Sequence, residues 1–116
     1  MSLDDMSSNA DDFRPLSEPV LWILVSLSRQ PRHGYALMKD VESLSEGRTR
    51  LGTGTLYGAL RRLIDEDLIE AVDGADSSRD KQTYRLTRTG RARLETELER
   101  LQHVVRTALH LRRRHA

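Results

Sequence analysis

Apolar residues follow a helical spacing as far as Ile64, alternate with polar ones between Leu68 and Leu86, and return to helical spacing from Leu94 onward. A period of 3.6 residues lines one face of a helix, whereas a period of two lines one face of a strand. The two switches therefore prescribe helices, then a short β segment, then a helix. In 116 residues this order leaves room for one domain with an arm at either end.

The boundaries follow from local signals. Residues 1–14 have Ser, Asn and Asp in place of apolar periodicity, and read as a disordered arm. Ser17 is expected to cap a first helix with Pro19 in its opening turn. The run Val20–Leu27 is apolar nearly all round, which predicts a deeply buried helix with Trp22 as its largest side chain, ended by Pro31. His33-Gly34 opens a second helix through Tyr35, Leu37, Met38, Val41 and Leu44, with Gly47 as the left-handed residue after its end. After a polar turn, Thr53 is expected to cap a third helix reaching about Asp67. Its core stripe is Leu56, Leu60, Leu63 and Ile64. Gly54, Thr55, Gly58, Arg61 and Arg62 lie on the opposite side, and Tyr57 on the flank.

Leu68–Val72 and Lys81–Leu86 then read as a hairpin with a polar Gly/Ser/Asp tip at 73–80. Thr87 caps the last helix. There Leu94, Leu98, Leu101, Val105 and Ala108 are spaced 4, 3, 4 and 3, as in the seam of a two-stranded coiled coil. The pattern stops at Arg112, so residues 112–115 are expected to fray. An apolar stripe of that length on a chain this small predicts a homodimer, with Trp22 adding to the interface.

Charge and composition narrow the function. The formal net charge of +1 conceals a strong asymmetry. Residues 1–16 carry four Asp against Arg14, and residues 91–116 carry seven Arg against three Glu. Between them, residues 48–62 hold Arg48, Arg50, Arg61 and Arg62 with no acid, so a basic face can form on a neutral domain. The absence of Cys excludes disulfides, thiolate metal sites and cysteine redox sensing. His103 and His110 share a helical face but stand about 10.5 Å apart along it, too far to ligate one zinc within a single helix. No phosphate-binding Gly loop and no nucleophile with a base is present, which argues against an enzyme and against a bound cofactor or metal. The acidic, polar start does not resemble a secretory leader, and the run Val20–Val25 is too short to span a bilayer. A cytoplasmic location without membrane contact is the expectation.

Three short helices closed by a hairpin match the winged helix-turn-helix, in which the third helix enters the major groove of double-stranded DNA. The predicted fold is thus mainly α with a small β-hairpin wing, followed by a long C-terminal dimerisation helix. Residues 15–87 form the DNA-binding domain and 88–116 the dimerisation helix. Thr53, Thr55, Arg61 and Arg62 are candidate DNA contacts, because hydroxyls and guanidinia donate to base edges and phosphates. Arg48 and Arg50 in the preceding turn, Tyr35 and Tyr57 as half-packed phosphate donors, and Arg79 and Lys81 on the wing complete the set. The dimer interface is assigned to Trp22, Leu94, Leu98, Leu101, Val105 and Ala108.

Thr53-Gly-Thr-Leu-Tyr57, Ala59-Leu-Arg-Arg-Leu63 and Leu68-Ile69 resemble the PadR-like transcriptional regulators. His33-Gly34-Tyr35 after Leu24–Leu27, Tyr84-Arg-Leu-Thr87 and Thr89-Gly90-Arg91 agree in register, so the resemblance spans residues 16–110. It implies a winged-helix domain, a C-terminal helix used for dimerisation, and repression at a palindromic operator. It also implies that a flat aromatic effector can sit between subunits, where Trp22 would line the cavity. Two positions depart from the family pattern. Gly58 stands where Pro is common, and Asp67 where Gly is common, so Asp67 should close its helix less comfortably.

Overall fold

The computed structural model describes residues 14–72 and 81–115. The arm assigned to 1–14 (apart from Arg14), the hairpin tip and Arg79 lie outside the described residues. The elements are α1 (Glu18–Arg29), β1 (Arg32–His33), α2 (Gly34–Leu44), α3 (Thr53–Asp65), β2 (Ile69–Ala71), β3 (Thr83–Leu86) and α4 (Arg88–His115).

Ser17 caps α1 as its residue type dictates, its hydroxyl accepting from the Val20 N–H at 3.4 Å. α1 is less buried than its composition suggests. Ile23, Leu24 and Leu27 are fully covered, but Leu21, Trp22 and Val25 are only partly so. Its neighbours α2, β3 and α4 reach only part of its circumference. The Trp22 indole N–H points outward to the Glu18 carboxylate at 3.3 Å. Ser26, fully buried, donates to Asp40 on α2, and Arg32 reaches the same carboxylate at 3.4 Å. This one acid ties α1, β1 and α2 together.

Both internal helices end in the same way. The Glu46 N–H returns to Ser43 and the Gly47 N–H to Glu42. Likewise the Asp67 N–H returns to Ile64 and the Leu68 N–H to Leu63. These paired bonds satisfy terminal carbonyls but force the residue after the cap into the left-handed region. That residue is Glu46 (φ 55°), with Gly47 following at 80°, so the expected role of Gly47 is shared with its predecessor. At the second turn it is Asp67 (φ 62°), as the departure from glycine anticipated. The same closure ends α3 at Asp65, short of the expected Asp67. At its start, Gly52 rather than Thr53 is the N-cap; its carbonyl accepts from Leu56 at 2.9 Å and Thr53 is already helical.

The sheet holds one strand more than the hairpin predicted. β1 pairs antiparallel with β3, which also pairs with β2, giving the order β1-β3-β2. A two-residue strand between two helices carries no alternation to detect. Thr87 caps α4 as expected, accepting from the Gly90 N–H at 2.9 Å, and it also donates to the Asp67 carbonyl. Leu94 belongs to the chain's own core at 3% exposure and is not free for the interface to which its heptad position assigned it. Further along α4, Leu98, Val104, Val105 and Leu111 are exposed and Leu101 is half-buried. The helix runs on to His115 without fraying at Arg112. Arginine is a good helix former, and four basic residues in the last turn complement the negative end of the dipole.

Among the described residues Glu97 is the one buried acid, at 2% exposure. Its carboxylate accepts from Arg100 at 2.6 Å and from the Leu16 N–H at 2.8 Å, pinning the segment before α1 to α4. The Arg100 bond holds its pKa below the usual carboxylate range; burial opposes this, and the Leu16 N–H adds to it. A depressed folded-state pKa gives stability that is complete above the unfolded glutamate's pKa and disappears as the pH falls through the folded value. Glu97→Gln is therefore expected to be less stable than wild type at neutral pH, with the difference narrowing in acid. Urea unfolding of both proteins from pH 7 down to pH values at which carboxylates protonate checks this, and a pH-independent difference would contradict it.

Candidate nucleic-acid interface

α3 is held by an inner stripe of Leu56, Ala59, Leu60 and Leu63, all buried, whereas Ile64, expected in the stripe, is 39% exposed and Ala59 takes its place. The stripe fixes the helix's rotation, so its outer side is determined. That side presents Gly54, Thr55, Gly58, Arg61 and Arg62, all exposed. Gly54 and Gly58 have nothing within 4 Å of where a Cβ would stand, so the backbone is bare along two turns. Among the described residues, Arg48, Arg61 and Arg62 make no ion pair. Arg50 is different: it pairs with Glu42 at 3.3 Å, both side chains being exposed.

The tyrosines are placed by packing. Tyr57 is half-buried and its ring lies over Gly34, where an added Cβ would fall 2.5 Å from the phenol oxygen. The glycine of the His33-Gly34-Tyr35 segment thus makes room for the tyrosine of α3, a link the linear sequence does not display. Tyr35 is 62% exposed. Together with Met38, Thr53, Leu56 and Tyr57 it lines a recess of about 300 Å³ at the start of α3. Lys39 stands over the Tyr35 ring at 5.5 Å, adding an exposed cation to this side. Sequence reasoning passed over Lys39, although its position four residues after Tyr35 on a helix was the available signal.

Tyr35, Thr53 and Tyr57 therefore meet at one place. Arg62 lies elsewhere, on the α3 flank facing α4. Lys81 is exposed just before β3, and Arg85 on β3 pairs across the sheet with Glu70 at 2.6 Å. The His33 ring lies 3.3 Å from the Gln82 carbonyl, which joins β1 to the base of the hairpin. Among the described residues no group of three His, Cys, Asp or Glu side chains could hold a metal ion, and no helix is long and apolar enough to cross a membrane.

The architecture is shared with solved structures of PadR-family proteins. The chain resembles a PadR family transcription regulator from Clostridium difficile R20291, with 23% identity, a TM-score of 0.64, and coverage of 82% of this chain and 98% of that one. It resembles equally a PadR-like transcriptional regulator from Bacillus cereus at 29% identity and a TM-score of 0.62, over 81% and 88% of the two chains. In sequence it is 39% identical over 75 residues to a 37.1 kDa protein of transposon TN4556 from Streptomyces fradiae. The match takes in 65% of this chain but spans only 20% of that relative. The profile of the PadR-like transcriptional regulators matches residues 23–96, from the core of α1 to the first turns of α4. With that match over more than half its length, and the fold to accompany it, the chain belongs to the PadR-like family of transcriptional regulators, which are not enzymes.

Proposed function

We propose that the chain is a sequence-specific DNA-binding repressor that acts as a homodimer at a palindromic operator. α3 enters the major groove and the β2–β3 hairpin lies against the neighbouring backbone. The outer face of α3 carries this reading: two bare glycines allow close approach, and Arg61 and Arg62 beside Thr55 have no partner among the described residues. Unpaired guanidinia along an open backbone suit a polyanion better than a protein core. Thr53, at the positive end of the helix dipole, Tyr35 and Tyr57 around it, and Arg48 in the turn before the helix supply phosphate contacts. Arg50 can join them by exchanging Glu42 for a phosphate, and Arg79 and Lys81 act from the wing. Residues 15–87 form the reading unit, and the exposed part of α4 joins the subunits through Leu98, Leu101, Val105 and Ala108, with Trp22 alongside.

The test separates base reading from backbone contact, using a site selected from random duplexes. Arg61→Ala is expected to cost about 1–3 kcal/mol on that site and to relax preference at one position of each half-site. Lys81→Ala is expected to weaken selected and scrambled duplexes alike and to lower the salt slope by about 1 for each phosphate no longer neutralised. Fluorescence anisotropy over a salt series measures both. If Arg61→Ala weakens the two duplexes equally, Arg61 is a phosphate anchor and base reading passes to Thr55 or Arg62.

A further inference from the structure

Between the lead-in to α1, the second half of α3 and the first turns of α4 runs a groove of about 1090 Å³. Its floor is apolar, with Val20, Leu63 and Leu68. Its rim is cationic: Arg62, Arg88 and Arg93 line it against a single acid, Glu66. Arg62 and Arg88 are exposed and make no hydrogen bond or ion pair through their side chains among the described residues. Guanidinia concentrated along a concave apolar surface call for an anion that also carries an apolar group.

The sequence carries such a segment just ahead of a residue of the groove wall, Arg14. The backbone there is fixed twice over, by Arg93 donating to the Arg14 carbonyl and by the Leu16 N–H donating to Glu97. Immediately before Arg14 the sequence has Asp11, Asp12 and Phe13, and before those Asp4 and Asp5, with no Lys or Arg in residues 1–13.

We propose that this groove is the docking site of the chain's own acidic segment, residues 1–13, whose aspartates meet Arg62, Arg88 and Arg93 and whose Phe13 covers the apolar floor. Attachment at the groove wall makes the encounter intramolecular, so contacts too weak to hold a free peptide suffice. The consequence rests on the DNA-binding reading. Arg62 is shared between this groove and the outer side of α3, so the docked segment competes with a phosphate for it. Such an arm would depress binding to random duplex most, because there each phosphate contact carries a larger share of the affinity.

Because the chain has no Cys, Ser8→Cys gives a single thiol for a nitroxide label, and amide broadening reports where the segment lies without any DNA present. The expected result is selective broadening at Ala59, Leu63, Ala92 and Thr96, relieved by about 0.5 M salt, where the Debye length falls below about 5 Å. Changing Asp4, Asp5, Asp11 and Asp12 to Asn should abolish it without touching the fold, as should Arg62→Glu combined with Arg88→Glu, neither of which ties backbone in the folded chain. Broadening confined to residues 14–17, or unchanged by the Asn variant, would overturn the docking. So would broadening that arises only between labelled and unlabelled copies, which would assign the groove to a second chain. If docking is seen but the Asn variant binds random duplex no more tightly than wild type at low salt, the competition is overturned while the docking stands.

Discussion

Gly90→Ala is expected to destabilise the protein by at least about 3 kcal/mol, beyond the usual range for overpacking. A Cβ at this position would stand 1.9 Å from the Leu68 carbonyl oxygen and 2.8 Å from its carbon. The obstruction is backbone, so no rotamer change relieves it. Nor can Leu68 withdraw freely, because its carbonyl accepts from the Thr87 N–H at 3.1 Å and its own N–H closes α3 on Leu63. The start of α4 would have to move away, and Leu94 and Glu97 with it. Gly58→Ala is the control. Gly58 is also helical, but nothing lies within 4 Å of its Cβ position, so the change should stabilise by about 0.5–1 kcal/mol through helix propensity alone. Urea unfolding of both variants decides the matter: equal effects would mean that α4 does not press on Leu68 as described.

That contact shows where sequence reasoning reaches and where it stops. The switch from helical to alternating spacing and back yielded the element order, because each period reflects one buried face. Ser17 and Thr87 were legible as caps because a hydroxyl at a helix start has a local partner three residues on. Gly34 was visible as the opening of a helix, and both Gly34 and Gly90 as members of family-like segments, but not for the reasons the structure gives. Their reasons, Tyr57 and Leu68, lie more than twenty residues away in the chain. β1 was missed because two residues cannot show a period, and its pairing with β3 is entirely long-range. On α3 the exposed side followed from the core stripe, so Thr55, Arg61 and Arg62 were identified together. What the stripe could not show is that Arg62 turns toward α4, where Arg88 and Arg93 wait at positions with no motif of their own.

The heptad on α4 contains two kinds of position, and a pair of substitutions separates them. Leu94 is 3% exposed and packs within its own chain, so Leu94→Ala is expected to cost about 2–5 kcal/mol of folding stability. Val105 is 55% exposed on a part of the helix beyond the core, so Val105→Arg should leave the single chain folded. Its effect falls on association: a guanidinium in the seam has no partner there and carries a desolvation cost. Light scattering should find the wild type dimeric and Val105→Arg monomeric at micromolar concentration, with unchanged helical content by circular dichroism. On a palindromic duplex the monomer loses the second half-site, and with it the effective concentration that joins the two half-site encounters. Affinity should then fall about a thousandfold, within the 10²–10⁴ range of bivalent linkage. A wild type that is already monomeric would remove the dimer from the proposed function. A Val105→Arg dimer as tight as the parent would instead move the interface to Trp22 and the uncovered side of α1, where Leu21 and Val25 are only partly buried.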